Sequence, residues 1–258
     1  MIDSHCHPNS KELELNAAEI IERAYSAGVE SFMIVGCDLD DSFKALSMAN
    51  NFKNYNAYAA VGIHPHEAKI YADNLDFYLD KLEAMTLDNR VLAWGEIGLD
   101  YYYDISPRET QQKIFIAQLE RAVKLNLPVI LHIRDAMDDA LAILNDYYKN
   151  LKLLFHCYAG GLKYLERVLA MGGLCALGGA VTWKKSDELR EVAKIINLDK
   201  LLLETDCPYM TPAPFRGKIN EPCYIKYVYE LIANIKNLEF SELEDRIKNN
   251  YKKFFEIK

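Results

Sequence analysis

Hydrophobic residues in this 258-residue chain fall into two alternating kinds of segment. Short apolar runs, many rich in Val, Ile or Leu, occur at Met1-Ile2, Val29–Val35, Tyr58–Ile63, Val91–Ile97, Pro128–Ile133, Lys152–Phe155, Leu174–Leu177 and Leu201–Leu203. Between them lie longer stretches with helical apolar spacing. Gln112–Leu125 carries Ile114, Phe115, Gln118, Leu119, Ala122 and Val123 on the i, i+3, i+4 pattern, and Ala136–Tyr148 follows Asp135, a candidate helix cap. Gly28, Gly172 and Gly173 stand where helices would stop before the next strand. The pattern predicts eight strands alternating with helices, then two C-terminal helices near Tyr224–Ile235 and Ser241–Glu256.

Runs that are apolar at nearly every position suit strands buried on both faces, and intervening helices make such a sheet parallel. Eight units in this length predict an α/β fold: a single closed (β/α)8 TIM-type barrel with C-terminal helices, residues 1–258 forming one domain. No Gly-x-Gly-x-x-Gly follows a strand and no Walker-type Gly-Lys-Ser/Thr occurs, so nothing favours an open nucleotide-binding sheet. No Pro/Gly/Ser-rich linker or low-complexity tract divides the chain.

Composition narrows the class further. Hydrophobic residues make up 50% of the chain, enough for a large core, yet none of the apolar runs reaches the ~18 residues of a membrane helix. No basic-then-apolar leader opens the sequence. Cysteines at 6, 37, 157, 175, 207 and 223 form no Cys-x-x-Cys pair, which argues against a zinc ribbon and predicts reduced thiols in the cytoplasm. The formal net charge of −8 argues against a broad basic surface for duplex nucleic acid. A nucleic-acid substrate would have to be held by local groups or metal ions. Neither a membrane nor an obligate protein partner is expected.

The candidate chemistry lies in the positions of the six histidines, all at or just past a predicted strand end. His5 and His7 follow the first strand, His64 and His66 the third, His132 ends the fifth and His156 the sixth. Glu96 follows the fourth strand and Asp206 the eighth. Strand C-termini of a barrel converge on one mouth, so these eight side chains would face a shared volume. Each has an ordinary reading alone: a buried His is more often a hydrogen-bonded core residue, Glu96 could pair with an arginine, and Asp206 could cap a loop before Pro208. Gathered in one buried volume without a cation, they would leave charges uncompensated. Mixed imidazole and carboxylate suits Zn2+, Mn2+, Mg2+, Fe2+, Co2+ or Ni2+ without choosing among them. Five or six ligands exceed what one tetrahedral ion uses, so two divalent ions about 3.5–4 Å apart are expected, with Glu96 as the bridge. Cys6, Cys157 and Cys207 adjoin ligands, but strand alternation sends a ligand's neighbour to the opposite face, so they read as small packing residues.

Seven motifs then carry a resemblance. They are Asp3-Ser4-His5-Cys6-His7, Gly62-Ile63-His64-Pro65-His66, Gly95-Glu96-Ile97-Gly98-Leu99-Asp100-Tyr101, Pro128–Asp135, His156-Cys157-Tyr158-Ala159-Gly160, Glu204–Tyr209 and Thr211–Pro222. In this order they closely resemble the TatD family of metal-dependent deoxyribonucleases, within the amidohydrolase-like barrel superfamily, over residue 1 to about Phe255. Tyr158-Ala159 stands where the family often has Phe-Ser, and the missing hydroxyl could alter a phosphate contact; Cys207 stands where Ser or Ala is frequent. The resemblance implies that His5, His7 and Asp206 hold one metal, His132 and His156 a second, and Glu96 bridges two divalent ions (Mg2+, Mn2+ or Zn2+). Asp206 would also deprotonate the attacking water, with His64 as a second catalytic residue beside the substrate phosphate. His66, Arg134 and Arg216 are the substrate-binding candidates; Arg134 could instead pair with Asp135 or a neighbouring carboxylate, and Arg216-Gly217-Lys218 could be a solvated turn.

The expected function is phosphodiester hydrolysis in DNA, from strand ends or in single strands, in repair or degradation. The alternative is another ester or amide bond, aminoacyl-tRNA included, because the fold alone cannot choose. Many barrel relatives acting on C–N bonds bridge their metals with a carboxylated lysine, where this chain offers Glu96. A scaffold that binds metal without catalysis is a third reading, which the complete ligand set opposes.

Overall fold

The computed structural model describes residues 1–257. Its strands are β1 (Ile2–Cys6), β2 (Ser31–Val35), β3 (Ala57–Val61), β4 (Val91–Asp100), β5 (Val129–Arg134), β6 (Leu153–Phe155), β7 (Leu174–Leu177) and β8 (Leu201–Leu203). They form one sheet in sequence order, every neighbouring pair parallel, with helices between them. The predicted TIM-type (β/α)8 architecture is therefore the observed one. Phe32, Met33, Ile34, Trp94 and Phe155 are among the large side chains buried in the core, as strands covered on both faces require.

Seven junctions of the barrel are backbone ladders, and the eighth differs. Between β8 and β1 the Ser4 hydroxyl donates to Leu203 O at 3.0 Å, while the buried Asp3 carboxylate accepts from Thr205 N at 2.9 Å and Thr205 Oγ1 at 2.6 Å. At the C-terminal ends of the two strands, Asp206 N donates to His5 O at 2.9 Å and His7 N to Cys207 O at 2.8 Å. The expectation of full closure is thus refined: β8 is three residues long, and side-chain bonds together with these two backbone bonds close the ring in place of a ladder. Burial pushes the Asp3 carboxyl up to about 7, against the two Thr205 hydrogen bonds. The C-terminal helices, Ile225–Lys236 and Phe240–Phe255, brace the same seam. The Tyr229 hydroxyl accepts from Ile2 N at 3.0 Å and donates to Ile2 O at 3.1 Å.

Element boundaries differ where backbone geometry overrides pattern. β4 runs past Ile97 to Asp100 because its ladder with β5 continues through Asp100–Arg134. Gly98 makes this approach feasible: it adopts φ +146°, and a Cβ there would lie 2.0 Å from His132 O. The helix expected at Ala136–Tyr148 is Met137–Leu144, and Asp135 is not its cap. Asp135 sits at φ +50°, Ala136 holds the cap position, and a separate 3-10 turn at Tyr148–Asn150 redirects the chain into β6. The helix expected at Gln112–Leu125 starts earlier, at Arg108 after Pro107. No helix among the described residues is long and apolar enough to cross a membrane.

Candidate metal centre

Two irregularities aim the central ligands. The β1–β2 register shifts between Asp3 and Cys6, around His5, and the β4–β5 register shifts between Trp94 and Ile97, around Glu96. An extra residue at such a point bends a strand and redirects its side chains. His5 is 0% and Glu96 3% exposed, both at the barrel mouth.

The two oxygens of Glu96 face different groups. Oε2 lies 3.4 Å from His5 Nε2 and 3.8 Å from His7 Nε2. Oε1 lies 2.7 Å from His156 Nε2, 2.8 Å from His132 Nδ1 and 3.7 Å from His64 Nε2. Asp206 Oδ1 completes the first group, 3.4 Å from His7 Nε2 and 3.8 Å from His5 Nε2. The two Nε2 atoms of His5 and His7 are 3.0 Å apart, and the His5 and His156 rings stack at 4.0 Å.

These donors fit a divalent cation. His7 Nδ1 lies 2.9 Å from Val35 O and so carries the ring proton, leaving the Nε2 lone pair aimed inward. The edges of a tetrahedron of nitrogen and oxygen ligands around zinc are about 3.4 Å, close to the spacing of His5, His7, Glu96 and Asp206. His132 places Nε2 3.0 Å from Asp100 Oδ2 and Nδ1 against Glu96. Each nitrogen of that ring thus faces a carboxylate, and only added positive charge, a second proton or a metal, reconciles both contacts. Burial opposes ionisation of Glu96, but His156, His5 and His132 outweigh it and hold the carboxyl well below its ordinary range. Burial pushes His64 well below the ordinary histidine value, and the neighbouring His132 adds to the shift.

Residues 2–256 match the sequence model of the TatD-related DNase family. The chain belongs to the TatD family. It is accordingly a metal-dependent hydrolase. It is 37% identical to the metal-dependent hydrolase YabD of Bacillus subtilis over 258 residues, covering 100% of this chain and 99% of that one. It is 33% identical to a protein of Erwinia billingiae named 3'-5' ssDNA/RNA exonuclease TatD, over 100% of this chain and 99% of that one. The crystal structure of the TatD homologue YjjV from Escherichia coli K12 superposes with a TM-score of 0.91 at 29% identity, covering 100% and 98% of the two chains.

In this TatD-family chain all eight polar residues expected at the mouth come together. His66 Nε2 lies 2.9 Å from Asp100 Oδ2, and the His64 and His66 rings meet edge to face at 4.4 Å. Arg134 does not pair with Asp135; its guanidinium lies over the rings of Tyr102 and Tyr103. Arg216 is exposed and lies over Trp183, 4.5 Å from the ring centre.

Four acids escaped the strand-end argument. Asp100 grips His66 and His132 together, and it lies on the same strand face as Glu96, four positions on, which alternation could have revealed. Glu204, two positions before Asp206, has Oε1 3.5 Å from His156 Nδ1. Asp3 serves the seam, and Asp41 accepts from Cys37 N at 3.0 Å beside His7. Cys6 and Cys207 are buried packing residues as expected. Cys157 departs from that expectation: at φ +41° the chain is not extended, alternation fails, and Sγ reaches Asp206 Oδ2 at 3.5 Å.

Proposed function

We propose that this protein is a deoxyribonuclease that hydrolyses phosphodiester bonds at strand ends or in single-stranded DNA with two divalent ions, Mg2+, Mn2+ or Zn2+. The observation that carries the reading is the division of Glu96 between two imidazole groups, His5 with His7 and His132 with His156. One group, completed by Asp206, would hold one ion and the other group the second, with Glu96 common to both. The exonuclease name of the Erwinia relative supports a nucleic-acid substrate. Six unpaired cysteines suit a cytoplasmic setting, and the chain would act as a single barrel domain.

Bound divalent ions lower the pKa of water and neutralise charge developing at phosphorus. Asp206 keeps Oδ1 toward His5 and His7, and takes up the proton of the attacking water at Oδ2, which has only a weak thiol donor from Cys157. His64 accepts from His66 N at Nδ1, so its Nε2 carries the proton; neutral and buried, it donates a hydrogen bond to a phosphoryl oxygen. His66 and Arg134 line the β3–β5 side of the mouth, where the strand would run, and Arg216 offers a more peripheral anion contact.

The test is incubation of metal-stripped, reloaded protein with end-labelled single- and double-stranded oligonucleotides across the three metals. Stepwise shortening of single strands, abolished by chelator and by Glu96→Gln or Asp206→Asn, is the expected result. Undiminished cleavage by either variant defeats the scheme. Turnover of an ester panel or of aminoacyl-tRNA, with oligonucleotides untouched, would move the chemistry to another bond.

A further inference from the structure

We infer that Tyr102 and Tyr103, with Arg134 in the corner between their rings, form a stacking platform for a base of a single-stranded nucleic acid. The inference rests on the nuclease reading and names how the substrate is gripped beside the reacting phosphate. The two tyrosines follow β4 and are 58% and 55% exposed, although each is a large ring at the rim of a buried site. Their rings stand nearly perpendicular, 87° apart with centroids at 4.9 Å. The Arg134 guanidinium lies 4.0 Å from the Tyr102 centroid and 4.7 Å from that of Tyr103. Among the described residues it forms no ion pair, so its N–H groups are available to an incoming anion while its central carbon lies against both rings.

The platform is held at a fixed place relative to the proposed chemistry. Asp100 Oδ1 accepts from Tyr102 N at 3.0 Å and Tyr103 N at 2.9 Å, while Oδ2 faces His66 and His132. Tyr101 N donates to Arg134 O at 2.9 Å, tying the loop to β5. Tyr103 also meets His66 edge to face at 5.4 Å. Arg134 is two residues beyond His132 on the same face of β5, about 7 Å along an extended strand. A phosphate at the histidines and a second anion at Arg134 are therefore one short, flexible unit apart, with an aromatic face beside the second. An anion next to an aromatic surface is the chemistry of a nucleotide in an unpaired strand, whose base is free to leave its neighbours and stack. A duplex, with its bases already stacked, gains nothing from such a surface.

The simpler alternative is that Arg134 merely braces the Tyr102-Tyr103 loop. A short single strand with a non-cleavable phosphorothioate backbone and 2-aminopurine near its 3′ end separates the two. Binding is followed by anisotropy and stacking by fluorescence quenching, with the metal-loaded protein. The wild type should quench the probe; Tyr102→Ala/Tyr103→Ala should lose the quenching and bind roughly 10- to 100-fold more weakly, as expected for removal of base stacking. Tyr102→Phe/Tyr103→Phe should keep both signals, since a ring and not a hydroxyl is needed. Circular dichroism and thermal melting confirm that the variants are folded. If the folded alanine variant binds and quenches like the wild type, the platform is wrong, and the loop is only braced. Hydrolysis of an unmodified strand by the wild type is measured alongside: its presence with unchanged binding in the variant overturns the platform alone. Neither binding nor hydrolysis by the wild type overturns the nuclease reading and the platform with it.

Discussion

The β4–β5 pair and the β8–β1 seam each deliver metal-site candidates to the same mouth, by different means. β4 and β5 run side by side in a backbone ladder through Asp100 and Arg134 and present Glu96, Asp100, His132 and Arg134 from one strand face each. At the seam, the ladder is replaced by the Asp3–Thr205 and Ser4–Leu203 bonds, with His5 near the end of β1 and His7 and Asp206 just past β1 and β8. A ladder positions ligands through the backbone, which mutation of a side chain cannot remove. At the seam only two backbone bonds, Asp206 N to His5 O and His7 N to Cys207 O, back up the side chains, so more of the closure depends on individual residues. Glu96 reaches both regions, Oε1 toward His132 of β5 and Oε2 toward His5 of β1.

Glu96→Gln removes the group common to both regions and carries the largest expected effect. Its amide nitrogen turns one acceptor into a donor facing imidazoles, and the bridging charge is lost. kcat on the single-stranded substrate should fall by on the order of 10³-fold. Metal content after gel filtration should fall too, while the far-ultraviolet circular dichroism is unchanged. A variant that keeps two metals and full activity would show that Glu96 joins nothing.

Breaking the seam should act first on stability. Asp3→Ala strands the buried Thr205 N–H and hydroxyl and should cost about 2–4 kcal/mol in urea unfolding, from two lost hydrogen bonds whose donors are left unpaired. Asp3→Asn retains an acceptor for Thr205 N and should cost much less. Equal losses for the two substitutions would remove the seam bond as the cause.

What could be read from the sequence follows the same division. Alternation along β4 and β5 and the histidines at strand ends suffice to assemble the mouth, because extended strands map sequence spacing directly onto faces. Asp100 escaped notice because a lone acid leading into Tyr101-Tyr102-Tyr103 resembles a solvated turn; it is buried only because Gly98 lets β4 run four residues beyond Glu96. Cys157 and Asp135 depart from the pattern for one physical reason: at φ +41° and +50° neither backbone is in the extended region, which strand alternation and a helix cap both need. The seam is invisible to pattern altogether. Apolar runs predict eight strands but not which junction lacks a ladder.

Asp100→Asn sharpens the comparison at the ladder. The carboxylate holds His132 at 3.0 Å and His66 at 2.9 Å, and loss of such an outer partner typically weakens metal binding or activity 10- to 100-fold. The weakening should fall on one class of metal in a titration, the one facing His132 and His156. The class facing His5, His7 and Asp206 should titrate as before. Equal weakening of both would mean that Glu96 couples the two groups so tightly that the regions act as one.

Ser4→Ala has the smallest expected effect and asks whether the seam transmits anything to the site. It removes one bond, to Leu203 O, next to the ligand His5. The stability loss should be about 1 kcal/mol, the net value of a single buried hydrogen bond, measured by urea unfolding. His5 also has its carbonyl tied by Asp206 N, and His7 its amide by Cys207 O, so two backbone bonds still hold the ligands once the hydroxyl is gone. Metal affinity should therefore stay within about twofold of wild type, because the remaining backbone bonds hold the ligand geometry. If affinity falls along with stability, the hydroxyl is setting the position of His5, and the seam belongs to the metal centre as fully as the ladder does.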